Sequence, residues 1–168
     1  MSVQGVKDTF YTTLCNRVAA NNAARTIVVR GVLRPSVLVV ENELPGTSID
    51  GISQADAFCM RWTSLRLDAL GLISIGCEIR YATDGTADMA GMDRGRALAA
   101  MDGELGAALG AAPQAAQQLQ FVEATGGGAS NGADSGTHIF WSEVSFGPAV
   151  MRSERIERTA TLEVFGYE

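Results

Sequence analysis

Leu72-Ile73-Ser74-Ile75-Gly76-Cys77-Glu78-Ile79-Arg80-Tyr81 is the stretch that decides the fold. Ile73, Ile75, Cys77, Ile79 and Tyr81 fall on one side, and Ser74, Gly76, Glu78 and Arg80 on the other. A period of two over this length predicts a strand with one dry face and one wet face. Asp84-Gly85-Thr86 ends it, and the neighbouring segments read as partners or covers for its apolar side.

Upstream, Phe58 to Leu70 alternates in the same way. Leu65, Leu67 and Ala69 oppose Ser64, Arg66 and Asp68, and a hairpin turning at Leu70-Gly71 is the favoured connection. A single long strand with a glycine bulge is the alternative. Glu43 to Asp56 is a loop rich in turn formers, among them Pro45-Gly46 and Asp50-Gly51. Its length marks it as functional or mobile. Before it, Thr26 to Leu33 and Pro35 to Glu41 are β-branched runs, with Pro35 expected to start the second strand. Both are apolar on alternate sides too, which suits strands covered on both faces or buried in an assembly. Val6 to Ala24 reads as a helix, because Val6, Phe10, Leu14 and Val18 recur every four residues.

Downstream, Thr86 to Leu109 reads as a second helix, with Asp84 or Thr86 as its cap and Asp88 in its first turn. Leu98, Met101, Leu105 and Leu109 form its apolar stripe. Gly91, Gly95, Ala99, Gly103 and Ala107 form a second stripe. Each helical glycine costs roughly 1 kcal/mol against alanine. Close approach of the first helix or of a neighbouring subunit would give those glycines a purpose. Ala111 to Gln118 is a connector, and Leu119 to Val122 a short strand. Thr125 to Thr137 is Gly-rich and predicts a mobile loop. His138 to Phe146 alternates, with Phe140, Val144 and Phe146 opposite Ile139 and Trp141. Ile156 to Tyr167 closes the chain as a strand with Ile156, Ala160, Leu162 and Val164 inward. The fold class is therefore α+β, a single domain over 1–168. Its sheet is mixed, mostly antiparallel, and covered by an N-terminal and a central helix, with 111–150 as a candidate insertion.

The chain has 168 residues, 46% of them hydrophobic, and a net charge of −6, so it can bury a real core. Lys7 is the only lysine and the arginines are scattered, which argues against a nucleic-acid-binding surface. No apolar run approaches the ~20 residues of a membrane helix, and the N-terminus lacks the features of a signal peptide. Cys15, Cys59 and Cys77 match no zinc spacing and read as buried thiols in a reducing compartment.

Chemistry is sparse. His138 is the sole histidine, with Asp134 or Glu143 as its conceivable partners, and no triad spacing accompanies it. The glycines of 126–136 precede a strand and lack the lysine of a phosphate-cradling loop. Asp84, Asp88 and Asp93 lack the ligand alternation of a calcium loop. The expectation is a protein with no catalytic, cofactor or metal site. Arg61, Trp62 and Arg66 are of residue types enriched in interface hot spots, and read equally well as a solvated strand face.

The order of elements resembles the tail terminator (tail completion) family of long-tailed bacteriophages and related tail-like particles. The matching features are Pro35-Ser36-Val37-Leu38-Val39-Val40-Glu41, Leu65 to Tyr81 ahead of the helix, and the C-terminal Thr161-Leu162-Glu163-Val164-Phe165-Gly166-Tyr167-Glu168. The resemblance implies a non-enzymatic virion protein of the tail or neck, assembled in the host cytoplasm. It implies a homo-oligomeric ring, usually a hexamer, that caps the tail tube protein and meets the head-tail connector proteins. DNA passes through such a ring without being read. Glu43, Arg61, Trp62, Arg66, Gly91, Gly95 and Gly103 are the candidate subunit-interface residues. A soluble oligomeric small-ligand-binding domain or enzyme is the alternative.

Overall fold

The computed structural model describes residues 3–40, 54–110, 117–119 and 137–167, with the backbone alone for 117–119, 137, 138 and 167. Glu43, the rest of the 41–53 loop and the Gly-rich 120–136 segment lie outside the described residues. The elements in chain order are α1 (Val3–Asn21), β1 (Thr26–Val29), β2 (Val32–Pro35), β3 (Val37–Val39), β4 (Phe58–Leu67), β5 (Ile73–Thr83), α2 (Arg94–Leu109), β6 (Gln117–Leu119), β7 (Thr137–Trp141), β8 (Ser145–Phe146), β9 (Val150–Arg152) and β10 (Arg155–Tyr167). The main sheet runs β3-β4-β5-β10-β7-β6, with β8 and β9 also paired to β10. The β3–β4 pair is parallel and the others are antiparallel, so the fold is α+β with a mostly antiparallel mixed sheet.

The strand around Ile73 to Tyr81 sits at the centre, hydrogen-bonded to β4 on one side and β10 on the other. Ile73, Ile75, Cys77, Ile79 and Tyr81 are all buried. On β10, Ala160, Leu162 and Val164 join them, and on β7 so do Ile139 and Trp141. The two helices contribute Val6, Phe10, Leu14 and Val18 from α1, and Leu98, Met101, Leu105, Ala108 and Leu109 from α2. Phe10 lies edge-on to both Trp62 and Trp141, with centroids 6.0 and 5.6 Å away. Such edge-to-face pairs add to the burial of each ring.

The two helices and the sheet are tied by polar contacts at their ends. Arg17 donates to the Ala108 carbonyl at 3.0 Å, and Trp141 Nε1 donates to the Leu109 carbonyl at 3.1 Å. Both serve carbonyls of the last helical turn, which have no partner within the helix. Arg25 donates to Glu104 through Nε at 2.6 Å and Nη2 at 2.9 Å, and Asn22 adds a third bond at 2.8 Å. Burial works against the Glu104 anion, but these bonds and the guanidinium charge outweigh it and hold the carboxyl below its usual range.

Several local readings change. The run from Thr26 does not continue to Leu33 as one strand. It folds back at Arg30-Gly31, where φ is 51° and 78°, to form the two-stranded β1–β2 sheet. Positive φ at both turn residues is the hairpin geometry that matches strand twist, and Gly31 adopts it without strain. Pro35 therefore ends β2 rather than starting β3. The second helix begins at Arg94, not Thr86. Gly85, Ala90 and Gly91 all have positive φ, so 84–93 winds through turns instead of a helix. Asp93 accepts the Thr86 N–H at 2.9 Å across those turns, and Asp84 pairs with Arg155 instead of capping. The hairpin between β4 and β5 closes at 68–72, where Asp68 Oδ1 accepts the N–H groups of Leu70 and Leu72, both at 2.8 Å.

Candidate assembly surfaces

The β4–β5 hairpin carries three of the seven sequence-predicted interface residues, Arg61, Trp62 and Arg66, and a bulge governs where they point. Trp62 pairs with Cys77 and Ser64 with Gly76, leaving Thr63 as the extra residue. Ser64 Oγ accepts the Gly76 N–H at 3.1 Å, and a Cβ on Gly76 would lie 2.5 Å from that oxygen. Glycine is thus what lets the bulged strand close on β5.

The bulge reverses the alternation of β4. Arg61 and Arg66 come to the outer face, opposite Glu78 and Ser74, whereas Trp62, Leu65 and Leu67 come to the face that carries Ile73 and Ile75. Arg61 pairs with Glu78, its Nε 3.0 Å from Oε2. Trp62 packs instead against Phe10, with the Lys7 ammonium 5.6 Å from its ring. The arginines and the tryptophan therefore do not share one patch.

The apolar side of this hairpin outruns its cover. Ile73 and Ile75 are buried, but Leu65 and Leu67 are 53% and 62% exposed, and Leu70 at the turn is 93% exposed. A second uncovered surface lies on the β1–β2 arm. Its root is fixed by Ile27, buried with Ala57 and Cys59 and flanked by Val29 and Leu38. Val28 and Leu33 pair on one face of the arm and are 62% and 65% exposed, and Val32, on the opposite face with Val29, is 56% exposed.

The predicted glycine stripe is not a seam within the subunit. Gly91 lies in the turn before α2 at φ 76°, under the Arg94 guanidinium. Gly95 and Gly103 are on the outer side of α2, where an added Cβ would meet nothing within 4 Å. No approach by α1 calls for them. The stripe's four-residue spacing is visible in the sequence, but its outward direction is set by where the larger residues pack.

A groove of about 950 Å³ lies between the 84–94 turns and the β9–β10 hairpin. Five of its six ionic groups engage one another. Arg155 Nε is 2.7 Å from Asp84 Oδ1, Arg152 Nε is 2.5 Å from Glu157 Oε1, and Arg94 Nε donates to the Asp84 carbonyl at 3.2 Å. The Arg155 contacts and charge, together with Arg94, hold the Asp84 carboxyl below its usual range despite some burial. Paired groups of this kind organise the surface of the groove. Cys15 is held the other way. Burial pushes its thiol up to about 11, against a smaller lowering by the hydrogen bond with Tyr11, so it is a poor nucleophile at neutral pH. Among the described residues no group of three or more His, Cys, Asp or Glu side chains gathers as metal ligands would. None of the described helices is long and apolar enough to cross a membrane.

No protein-family model, curated protein or solved structure matches this chain.

The sequence missed the arm as a separate surface. Its signal was present in Arg30-Gly31, a pair able to turn a two-residue hairpin, set within a run read as a continuous strand.

Proposed function

We propose that this chain is a structural subunit of a closed homo-oligomeric ring, acting as the terminator of a phage-type tail. One observation carries the reading. Two hairpins reach beyond a well-packed body with aliphatic side chains uncovered, the Val28–Leu33 pair on one face of the first, and Leu65, Leu67 and Leu70 on the second. Contiguous exposed apolar surface marks a protein contact. Two such surfaces at different places on one subunit suit head-to-tail neighbours, the arrangement that closes into a ring. The order of elements that resembles tail terminators supplies the specific role, namely a cap on the tail tube that faces the head connector. The acidic balance of the chain suits a passage for DNA, whose phosphates it would not grip.

Light scattering and negative-stain microscopy of the purified protein, alone and with tail tube protein, test this. Rings or ring-capped tubes are expected, and Leu67→Ser combined with Leu70→Ser should weaken them while leaving the fold intact. A monomer at every concentration, with no ring on added tubes, would overturn the proposal.

A further inference from the structure

We infer that the open edge of β4 takes strand β2 from the arm of a second copy as an added antiparallel strand. The inference rests on the self-assembly proposed above and names its contact. β3 pairs with β4 only at Phe58, Cys59 and Met60, and among the described residues no strand lies along that edge from Arg61 to Leu67. Leu65 and Leu67 are more than half exposed there, while Ile73 and Ile75 beside them on β5 are buried. The backbone is open at the same place. Asp68 donates its N–H to the Leu72 carbonyl across the hairpin at 3.0 Å, and in an antiparallel ladder alternate residues bond the partner. Arg66 therefore turns its backbone groups toward Ser74, and Leu65 and Leu67 turn theirs to the empty side. No proline or inward-pointing charge blunts the edge between Ser64 and Leu67. An edge of this kind takes up an extended segment through main-chain hydrogen bonds.

The arm has the matching edge. Ser36 donates its N–H to the Arg25 carbonyl at 3.0 Å, which sets the phase of the β1–β2 ladder. The bonded pairs are then Ile27 with Arg34 and Val29 with Val32, and the backbone groups of Val28 and Leu33 point outward. Pro35, with no N–H to give, falls in the same outward set. On both hairpins, then, exposed aliphatic residues are the ones whose backbone groups face an open edge. A two-stranded hairpin is marginally stable alone, and a third and fourth strand would support the outer half of the arm.

Charge selects the occupant and the register. Joining two β4 edges so that Leu65 meets Leu67 of the other copy would set Arg66 against Arg66, and like charges directly opposite are unfavourable. Laying β2 with Leu33 opposite Leu67 would set Arg34 against Arg66. With Leu33 opposite Leu65, Val32 meets Arg66, Pro35 meets the bulged Thr63 where the ladder is already broken, and the arm's tip comes level with Asp68. That tip carries Arg30, which makes no ion pair among the described residues. Val28, Leu33 and Leu65 then form one apolar row. Because the two edges are different surfaces, each subunit gives one arm and receives one, and this heterologous contact propagates until the rotation closes a ring.

The test co-expresses two single variants of the full chain, Leu33→Cys and Leu65→Cys, and oxidises them with copper phenanthroline. Opposite residues of a bonded pair have Cα atoms about 5.5 Å apart, within disulfide reach. Both positions are exposed, so neither change disturbs the core, and wild-type protein with its own thiols is oxidised in parallel. A covalent dimer is expected from the co-expressed pair, and none above the wild-type level from either variant alone. Arg30→Glu should raise the concentration needed for assembly about fivefold, and Arg30→Lys should leave it unchanged. A dimer from Leu65→Cys alone would show β4 meeting β4, and one from Leu33→Cys alone arm meeting arm; either overturns the inference. So would Arg30→Glu assembling like wild type, or no dimer from the pair while the protein still forms rings, outcomes that leave the proposed function standing. A wild-type protein that stays monomeric, with or without tube protein, removes both.

Discussion

Replacing Tyr81 with Phe removes one hydroxyl from the centre of the core and leaves the ring in place. Tyr81 is fully buried, and its ring lies edge-on to Phe58 at 5.4 Å, a contact that phenylalanine keeps. The hydroxyl donates to Asp102 Oδ1 at 2.5 Å, and Arg158 Nε lies 3.1 Å from the same oxygen. A hydrogen bond to a charged group contributes about 1.5–3 kcal/mol. Asp102 and Arg158 keep 26% and 23% of their side-chain surface in solvent, so water replaces part of what is lost. We therefore expect Tyr81→Phe to cost roughly 1.5 kcal/mol, a fall in Tm of about 3–6 °C. Asp102→Ala leaves the buried hydroxyl unpaired and takes the carboxylate from Arg158, which keeps its bond to the Gly147 carbonyl, and should cost more than Tyr81→Phe, about 2–3 kcal/mol. The double variant should cost less than the sum, with a coupling near 1 kcal/mol. Burial, and then the bond to Asp102, raise the ionisation of Tyr81 well above its ordinary value. A raised folded pKa gives stability that is complete below the unfolded tyrosine pKa of about 10 and is lost as pH climbs above it. Calorimetry across alkaline pH should show a shallower loss for Tyr81→Phe than for the wild type. Additive costs, together with phenolate absorbance from a folded Tyr81 near pH 10, would refute the network.

Leu162 is 6% exposed opposite Cys77, so Leu162→Ala should cost about 2–5 kcal/mol and lower Tm by roughly 5–15 °C in thermal denaturation. Glu104 has a depressed carboxyl pKa, so its contribution is present above the unfolded value of about 4.3 and is lost as pH falls through the folded one. Acid denaturation of Glu104→Gln should accordingly lack part of the wild-type slope below that value. Gly91 has φ 76° with the Arg94 guanidinium against it, and Gly91→Ala should cost about 1–2 kcal/mol in urea unfolding without changing the far-UV spectrum.

Much of the architecture was legible before any coordinates. Alternation in 72–81 and 156–164 marked two strands whose inward residues are the observed core, because burial of one sheet face writes its period directly into the chain. The four-residue recurrence of Val6, Phe10, Leu14 and Val18 marked α1 for the same reason. The class, α+β with a mostly antiparallel sheet, followed from the order of those patterns. What periodicity does not carry is a change of phase or a turn of special geometry. The Thr63 bulge decides which of Arg61, Trp62, Leu65 and Arg66 share a face, and it depends on Gly76 in the strand alongside. The start of α2 depends on backbone angles at Gly85, Ala90 and Gly91, stabilised by Asp93 and Arg94 folding back over them. The candidate assembly surfaces belong to the same class. A run such as Ile27-Val28-Val29 states that its side chains are apolar, but whether each meets the body of the protein or projects from it depends on how far neighbouring elements extend, a property of packing rather than of local sequence.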